Sequence, residues 1–209
     1  MIQLPKAKSS YSGKFNHLYD IQTRCASGAH ENQYICYWKS AKMKAVETMQ
    51  HTFKDYYRNE VTLSFADHPF SQSPKHVWVI CHYHHKWLLT RHKERGLEFP
   101  GGKVEKDEAA RDAAIREVKE ETGGTVASIR YIGQYIVAGK TETIVKNIYF
   151  ADIGELAEQE TYYETEGPFV LAHLPRNVKS DKRYSFIMKD DVLTHAIAFI
   201  KRKGLRNRP

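Results

Sequence analysis

The stretch Gly101-Gly102-Lys103-Val104-Glu105-Lys106-Asp107-Glu108, completed by Arg116-Glu117-Val118-Lys119-Glu120-Glu121-Thr122-Gly123, decides how this chain is read. Residues 108–122 are rich in Ala, Glu, Arg and Lys and contain neither Gly nor Pro, which predicts a helix, and Gly123-Gly124 predicts its end. A helix advances about 100° per residue, so Glu117, Glu120 and Glu121 lie within roughly 100° of one another on one face. Like charges at these spacings cost about 0.2–0.5 kcal/mol per pair, and acids are also misplaced near a helix C-terminus. A solvated acidic face is the plain account of such a cluster taken alone. The two glycines upstream favour another, because Gly101 and Gly102 let a metal or phosphate approach the backbone closely. Arg116 cannot neutralise three acids by itself, whereas a divalent ion can. Hard carboxylate oxygens suit Mg²⁺, with Mn²⁺ as the alternative.

Outward from this helix the pattern is mostly strand. Residues 61–65, 76–81, 86–90, 127–137, 143–152 and 169–173 read as strands, residues 83–85 as a short connection, and residues 98–103 as a loop. A second helix is expected over residues 190–203. Strands, a helix, more strands and a final helix give an α+β chain with a mixed sheet covered by helices.

Charge is segregated. The chain of 209 residues carries +7, yet residues 1–48 hold seven Lys or Arg against three acids, and residues 201–209 hold five basic residues and no acid. The middle is therefore slightly acidic, which argues against nucleic-acid binding by the chain as a whole. Residues 1–48 lack a sustained apolar period and read as a weakly ordered basic extension, apart from a candidate short strand around Tyr34–Trp38. Residues 49–209 then form the domain. The longest apolar runs have five residues, against about 20 for a membrane-spanning helix. With no secretory signal pattern, a cytoplasmic location is expected. Cys25, Cys36 and Cys81 match no zinc or disulfide spacing and read as free thiols. Residues 81–85, Cys-His-Tyr-His-His, make a poor zinc site because neighbours on a strand alternate faces.

The quoted stretch resembles the signature of the Nudix hydrolases: Gly, five residues, Glu, seven residues, then Arg-Glu-aliphatic-any-Glu-Glu-any-Gly-aliphatic. Here Gly102, Glu108, Arg116, Glu117, Glu120, Glu121 and Gly123 occupy the charged and glycine positions, and Gly124 departs from the final aliphatic one. The likeness extends over residues 53–199, toward the MutT-like branch. It implies a Nudix fold, with a mixed sheet sandwiched between helices, and hydrolysis of a nucleoside triphosphate such as 8-oxo-dGTP or dGTP to monophosphate and pyrophosphate. The alternatives are the same chemistry on triphosphorylated RNA 5′ ends, aided by the basic C-terminal tail, and a non-catalytic regulatory module, against which the intact Arg116, Glu117, Glu120 and Glu121 weigh. The resemblance further implies that Glu117, Glu121 and Glu120 hold Mg²⁺ with a carbonyl of Gly101 or Gly102, and that Arg116 orients the carboxylates. Glu108 falls on the opposite side of the helix and has a structural role. Glu166, with Glu164 as the alternative, is the general-base candidate. Arg91, Glu98, Phe99, Pro100, Gly101, Gly102 and Lys103 are expected to contact the nucleotide, and Trp78, Trp87 or Phe99 to stack on a base. Oligomeric state is left open.

Overall fold

The structure, a computed structural model, describes residues 50–207. The reading of residues 1–48, including the candidate strand near Tyr34, lies outside the described residues. Eight strands form one mixed sheet: β1 (Gln50–Lys54), β2 (Glu60–Ser64), β3 (His76–Tyr83), β4 (Lys86–His92), β5 (Gly96–Glu98), β6 (Gly124–Ala138), β7 (Thr143–Leu156) and β8 (Thr165–Leu171). Their order is β1-β2-β6-β7-β3-β4-β5, with β8 also paired to β4. All neighbours are antiparallel except β3 and β7, which run parallel with His76 opposite Lys146. The helices are α1 (Ala110–Thr122) and α2 (Asp191–Arg202).

Strand alternation divides the core between the two faces. Val77, Val79, Cys81, Leu88, Tyr149 and Ala151 pack with Ala113, Ala114 and Val118 of α1. Trp78, Ile80, Leu89, Ile148 and Phe150 pack with Val192, Ala196, Phe199 and Ile200 of α2. The expected sandwich of a mixed sheet between helices is the fold observed.

Helix α1 starts two residues later than expected. Ala109 is extended at φ −76°, ψ 141°, and the Glu108 side chain accepts from the Glu105 N–H at 2.9 Å. Gly123 ends it in the left-handed region, at φ 70°, donating to the Lys119 carbonyl, as glycine does at this position. Gly124 is tightly enclosed: a Cβ there would lie 2.9 Å from Thr122 Oγ1, 3.2 Å from Ile153 Cγ2 and 3.3 Å from Val118 Cγ1. Helix α2 is capped by Asp190, whose carboxylate accepts from the Val192 N–H at 3.0 Å. Residues 83–85 form part of a tight hairpin in which His84 and His85 both have positive φ.

The sequence reading missed β1 and the three-residue β5, and began β8 at residue 169 instead of 165. The loop after β5 is built like a strand. Val79 N–H donates to Pro100 O at 2.8 Å, Val77 N–H to Gly102 O at 3.0 Å, and Val104 N–H to Lys75 O at 2.9 Å. It therefore lies along the start of β3, directly beside the last turns of α1.

Candidate active site

Arg116 is the hub of the acidic face. Its Nε and Nη2 donate to the two oxygens of Glu108 at 2.9 and 3.0 Å. Nη1 donates to Glu117 and Glu120, both at 3.0 Å, and Nη2 also donates to Lys103 O at 2.9 Å. The guanidinium has five N–H groups in a rigid fork, and these hydrogen bonds use them. Glu108 is thus brought onto the hub by the bend before α1, and the bidentate bond to Arg116 holds its carboxyl below the usual range.

Glu121 differs. It is 8% exposed, and its Oε2 is buried with no hydrogen-bond partner. Burial, reinforced by the charges of Glu117 and Glu98, pushes its carboxyl up to about 9 despite a bond from the Gly101 N–H. Burial also raises Glu117, against the pull of Arg116. A buried acceptor without a partner carries a free-energy cost, and a divalent cation would offset it. Gly102 completes the cradle, since a Cβ there would overlap the Glu117 carboxylate. The Gly102 carbonyl already accepts from Val77, so Gly101 offers the freer carbonyl of the two. No three acidic, His or Cys side chains among the described residues already converge on one point. Glu117 and Glu120 each give an oxygen to Arg116, and a cation must share them with it. The oxygen donor set fits a hard divalent ion.

The far end of α1 is pinned by side chains. Thr90 and Thr165 donate to the Glu121 carbonyl at 3.0 and 3.1 Å, and Gln159 donates to the Lys119 carbonyl at 2.8 Å. The Glu121 carbonyl is one that a helix leaves without an intrahelical partner, and the Lys119 carbonyl accepts from Gln159 in addition to the Gly123 N–H.

The carboxylates form one end of a cleft of about 530 Å³. Of the residues singled out from the sequence, Glu98, Phe99, Gly101, Gly102, Lys103, Glu117, Glu120 and Glu121 line it. Pro100 is buried beneath it, with its carbonyl committed to β3. Arg91 and Glu166 are placed elsewhere: they pair with each other at 3.5 Å, and Arg91 lies over the Phe169 ring. Alternation along β8 explains this. Thr165 and Gly167 are buried and Glu166 faces out, whereas Glu164 lines the cleft. Trp78 lines the cleft, but Trp87 lies behind it, edge-on to Phe99 with ring centroids 5.9 Å apart, and carries Arg206 over its ring at 4.4 Å. Arg206 there also donates to His82 Nε2 and to His85 O, while His82 Nδ1 contacts Asp152 at 3.2 Å. The 81–85 cluster is thus tied into the fold and does not converge on a point, and the described part of the C-terminal tail is anchored away from the carboxylates. Cys81 is a buried free thiol.

Several lining residues were not anticipated. Arg95 binds Glu98 through Nη2 at 2.7 Å, and the Arg-Gly-x-Glu run before the glycine loop is the only local hint of it. His76, Lys146, Tyr163, Phe186 and Ile187 reach the cleft through tertiary pairing that no local pattern announces.

A family model described as NUDIX domain matches residues 72–166. YtkD of Bacillus subtilis (strain 168), to which 8-oxo-dGTP diphosphatase activity is ascribed, is 60% identical over 152 residues, covering 73% of this chain and 96% of YtkD. A point variant of the Bacillus subtilis pyrophosphohydrolase BsRppH matches in crystal structure with a TM-score of 0.73 and 58% identity, covering 74% of this chain and 98% of that one. A NUDIX hydrolase from Nitrosomonas europaea, 17% identical with a TM-score of 0.51 over 62% of this chain and 90% of its own, shares the fold. The chain belongs to the Nudix hydrolase family, with pyrophosphohydrolases among its relatives. Hydrolases of this family generally use a divalent metal. Among the described residues no helix is long and apolar enough to cross a membrane.

Proposed function

We propose that the protein is a Mg²⁺-dependent pyrophosphohydrolase of nucleoside triphosphates, with 8-oxo-dGTP and dGTP as the leading substrates and a role in clearing oxidised nucleotides. The observation that carries this reading is the buried, unpartnered Glu121 oxygen beside Glu117 and the Gly101–Gly102 strip, at one end of a cleft sized for a nucleotide. Ligand pockets of about 300–1,000 Å³ are usual for small molecules.

In this reading Glu121, Glu117 and Glu120, with the Gly101 carbonyl, hold the ion. Arg116 keeps the Glu117 and Glu120 carboxylates in position. A bound Mg²⁺ supplies charge neutralisation and Lewis acidity at the phosphates. Arg95 and Lys103, both on the cleft wall, balance the remaining triphosphate charge. Of the two loop acids, Glu164 is the one at the cleft, and we assign it rather than Glu166 as acceptor of the proton from attacking water. Attack on phosphorus releases nucleoside monophosphate and pyrophosphate.

A second substrate, a triphosphorylated RNA 5′ end, is favoured by exposed Tyr163 on the cleft wall and by exposed Tyr57, which packs on Phe186 of that wall. The test is turnover of 8-oxo-dGTP, dGTP and a triphosphorylated RNA with Mg²⁺. Glu121→Gln should abolish all three activities while circular dichroism stays native; undiminished turnover would remove Glu121 from the site.

A further inference from the structure

Four large hydrophobic residues among those described stand out as exposed, and three are tyrosines: Tyr56 at 56%, Tyr57 at 58% and Tyr163 at 63%. Tyr163 is on the cleft wall, and Tyr57 and Tyr56 extend outward from that wall by ring contacts. Phe186 and Ile187 also line the cleft, and Tyr57 packs on Phe186 with ring centroids 5.0 Å apart. Tyr56 meets Tyr57 edge-on at 5.2 Å, and Lys189 lies over the Tyr56 ring. Scattered exposed apolar residues need no explanation. Aromatic rings gathered on one rim do, because each leaves apolar surface open to water.

The segment that brings Phe186 and Ile187 to the cleft is opposite in charge to the α1 wall. Residues 176–189 contain Arg176, Lys179, Lys182, Arg183 and Lys189 against the single acid Asp181, and Arg58 lies in the turn that carries Tyr56 and Tyr57. Lys179 is paired with Asp191 and Arg183 with Asp181. Arg58, Arg176, Lys182 and Lys189 have no carboxylate within 4.0 Å among the described residues. Interleaved rings and cations are the usual surface for single-stranded nucleic acid, where bases stack and phosphates are neutralised. A cleft of about 530 Å³ holds about one nucleotide by the scale of known ligand pockets. Further nucleotides of a chain whose 5′ phosphates reach Glu121 lie outside the cleft, and this rim offers them rings and cations.

We propose that Tyr56 and Tyr57, with Lys182 and Lys189, form a platform for the single-stranded RNA that follows the 5′ nucleotide. This rests on the RNA reading of the same site. A free nucleotide ends inside the cleft and does not touch the platform.

The test compares GTP with 5′-triphosphorylated oligoribonucleotides of two and six nucleotides. Wild-type protein should show a KM lower by about tenfold for the six-nucleotide RNA than for the two-nucleotide one, the scale of one stacked base. The combined Tyr56→Ala and Tyr57→Ala change should erase that difference and leave GTP turnover within about twofold, and Tyr57→Phe alone should retain it. Lys182→Ala with Lys189→Ala should lower the salt slope of RNA binding by about 0.7 for each phosphate no longer neutralised. Equal losses on GTP and RNA, or an intact length dependence in the double tyrosine variant, would overturn the platform. So would a dimer that dissociates on the tyrosine changes without altering RNA KM, which would make the rim an interface between copies. If GTP is hydrolysed and RNA is neither bound nor cleaved, the platform falls and the nucleotide reading stands. If nothing is hydrolysed, the proposed function falls, and fluorescence anisotropy with the same RNAs and variants decides the platform by itself.

Discussion

The hydroxyl of Thr165 on β8 donates to the main-chain carbonyl of Glu121 across 3.1 Å, and Thr90 on β4 reaches the same carbonyl at 3.0 Å. The last turn of α1 is therefore fixed to the sheet at the most buried of its three site carboxylates. Removing both hydroxyls leaves a carbonyl without its two side-chain donors. Thr90→Val with Thr165→Val should cost about 2 kcal/mol in urea unfolding, or about 1 kcal/mol for each hydrogen bond. Calorimetric affinity for Mn²⁺ should fall with it, and an unchanged urea midpoint would deny these bonds a structural role.

Gly101 and Gly102 separate stability from chemistry. A Cβ at Gly101 would stand 2.5 Å from the Val77 carbonyl and 3.0 Å from Trp78 Cα, both main-chain atoms that cannot swing aside. The three atoms nearest a Cβ at Gly102 all belong to the Glu117 carboxylate, a side-chain end that can swing aside. Gly101→Ala should lower the melting temperature markedly. Gly102→Ala should leave it nearly unchanged and still reduce kcat/KM, because Glu117 must move.

Arg116→Lys keeps the charge and loses the fork. One ammonium cannot make the bidentate bond to Glu108 and also bridge Glu117 to Glu120. Groups that orient metal ligands typically matter by about 10- to 100-fold in activity, and kcat/KM should fall in that range. A lysine variant with wild-type kinetics would show that charge alone suffices.

Burial raises the Asp190 carboxyl to about 7, far above its unfolded value near 3.8. Between these values the folded chain binds more protons than the unfolded one, so stability from this group is full below about pH 4 and is lost as pH rises through about 7. Asp190→Asn keeps an oxygen for the Val192 N–H and removes the titration. Urea midpoints at pH 5 and pH 8 should converge in the variant relative to wild type; an equal gap in both proteins would assign the pH dependence to other groups.

Arg206 joins the chain end to the β3–β4 hairpin through Trp87, His82 and the His85 carbonyl. Arg206→Ala should reduce thermal stability and leave the ratio of RNA to nucleotide turnover unchanged. A selective loss on RNA would restore the tail to the substrate path that the sequence suggested.

Fixed spacing makes the centre of the site legible in the sequence. Glu117, Glu120, Glu121 and Arg116 share a helix, and geometry follows from a 3.6-residue period. Legibility failed where phase was unknown. Glu164 and Glu166 would share a face if both lay on one strand, but β8 begins at Thr165 and Glu164 sits in the preceding turn, where Tyr163 has positive φ, so the two acids diverge at a strand boundary that no local apolar pattern marks. Lys146 and His76 meet because β3 and β7 run parallel in one register, a relationship between residues 70 positions apart that no local pattern encodes. The strand Gln50–Lys54 was hidden by its polar, edge-strand composition.

Gly124 is the position at which this chain leaves the family pattern, and its neighbours are shaped around that departure. Thr122 Oγ1 accepts the Gly124 N–H at 3.1 Å, and Ile153 and Val118 close over the bare Cα. A redesign that averaged over relatives would write an aliphatic residue here and wedge open the junction between α1 and β6. At this junction the idiosyncratic residue is the adapted one, and consensus is a poor guide for engineering.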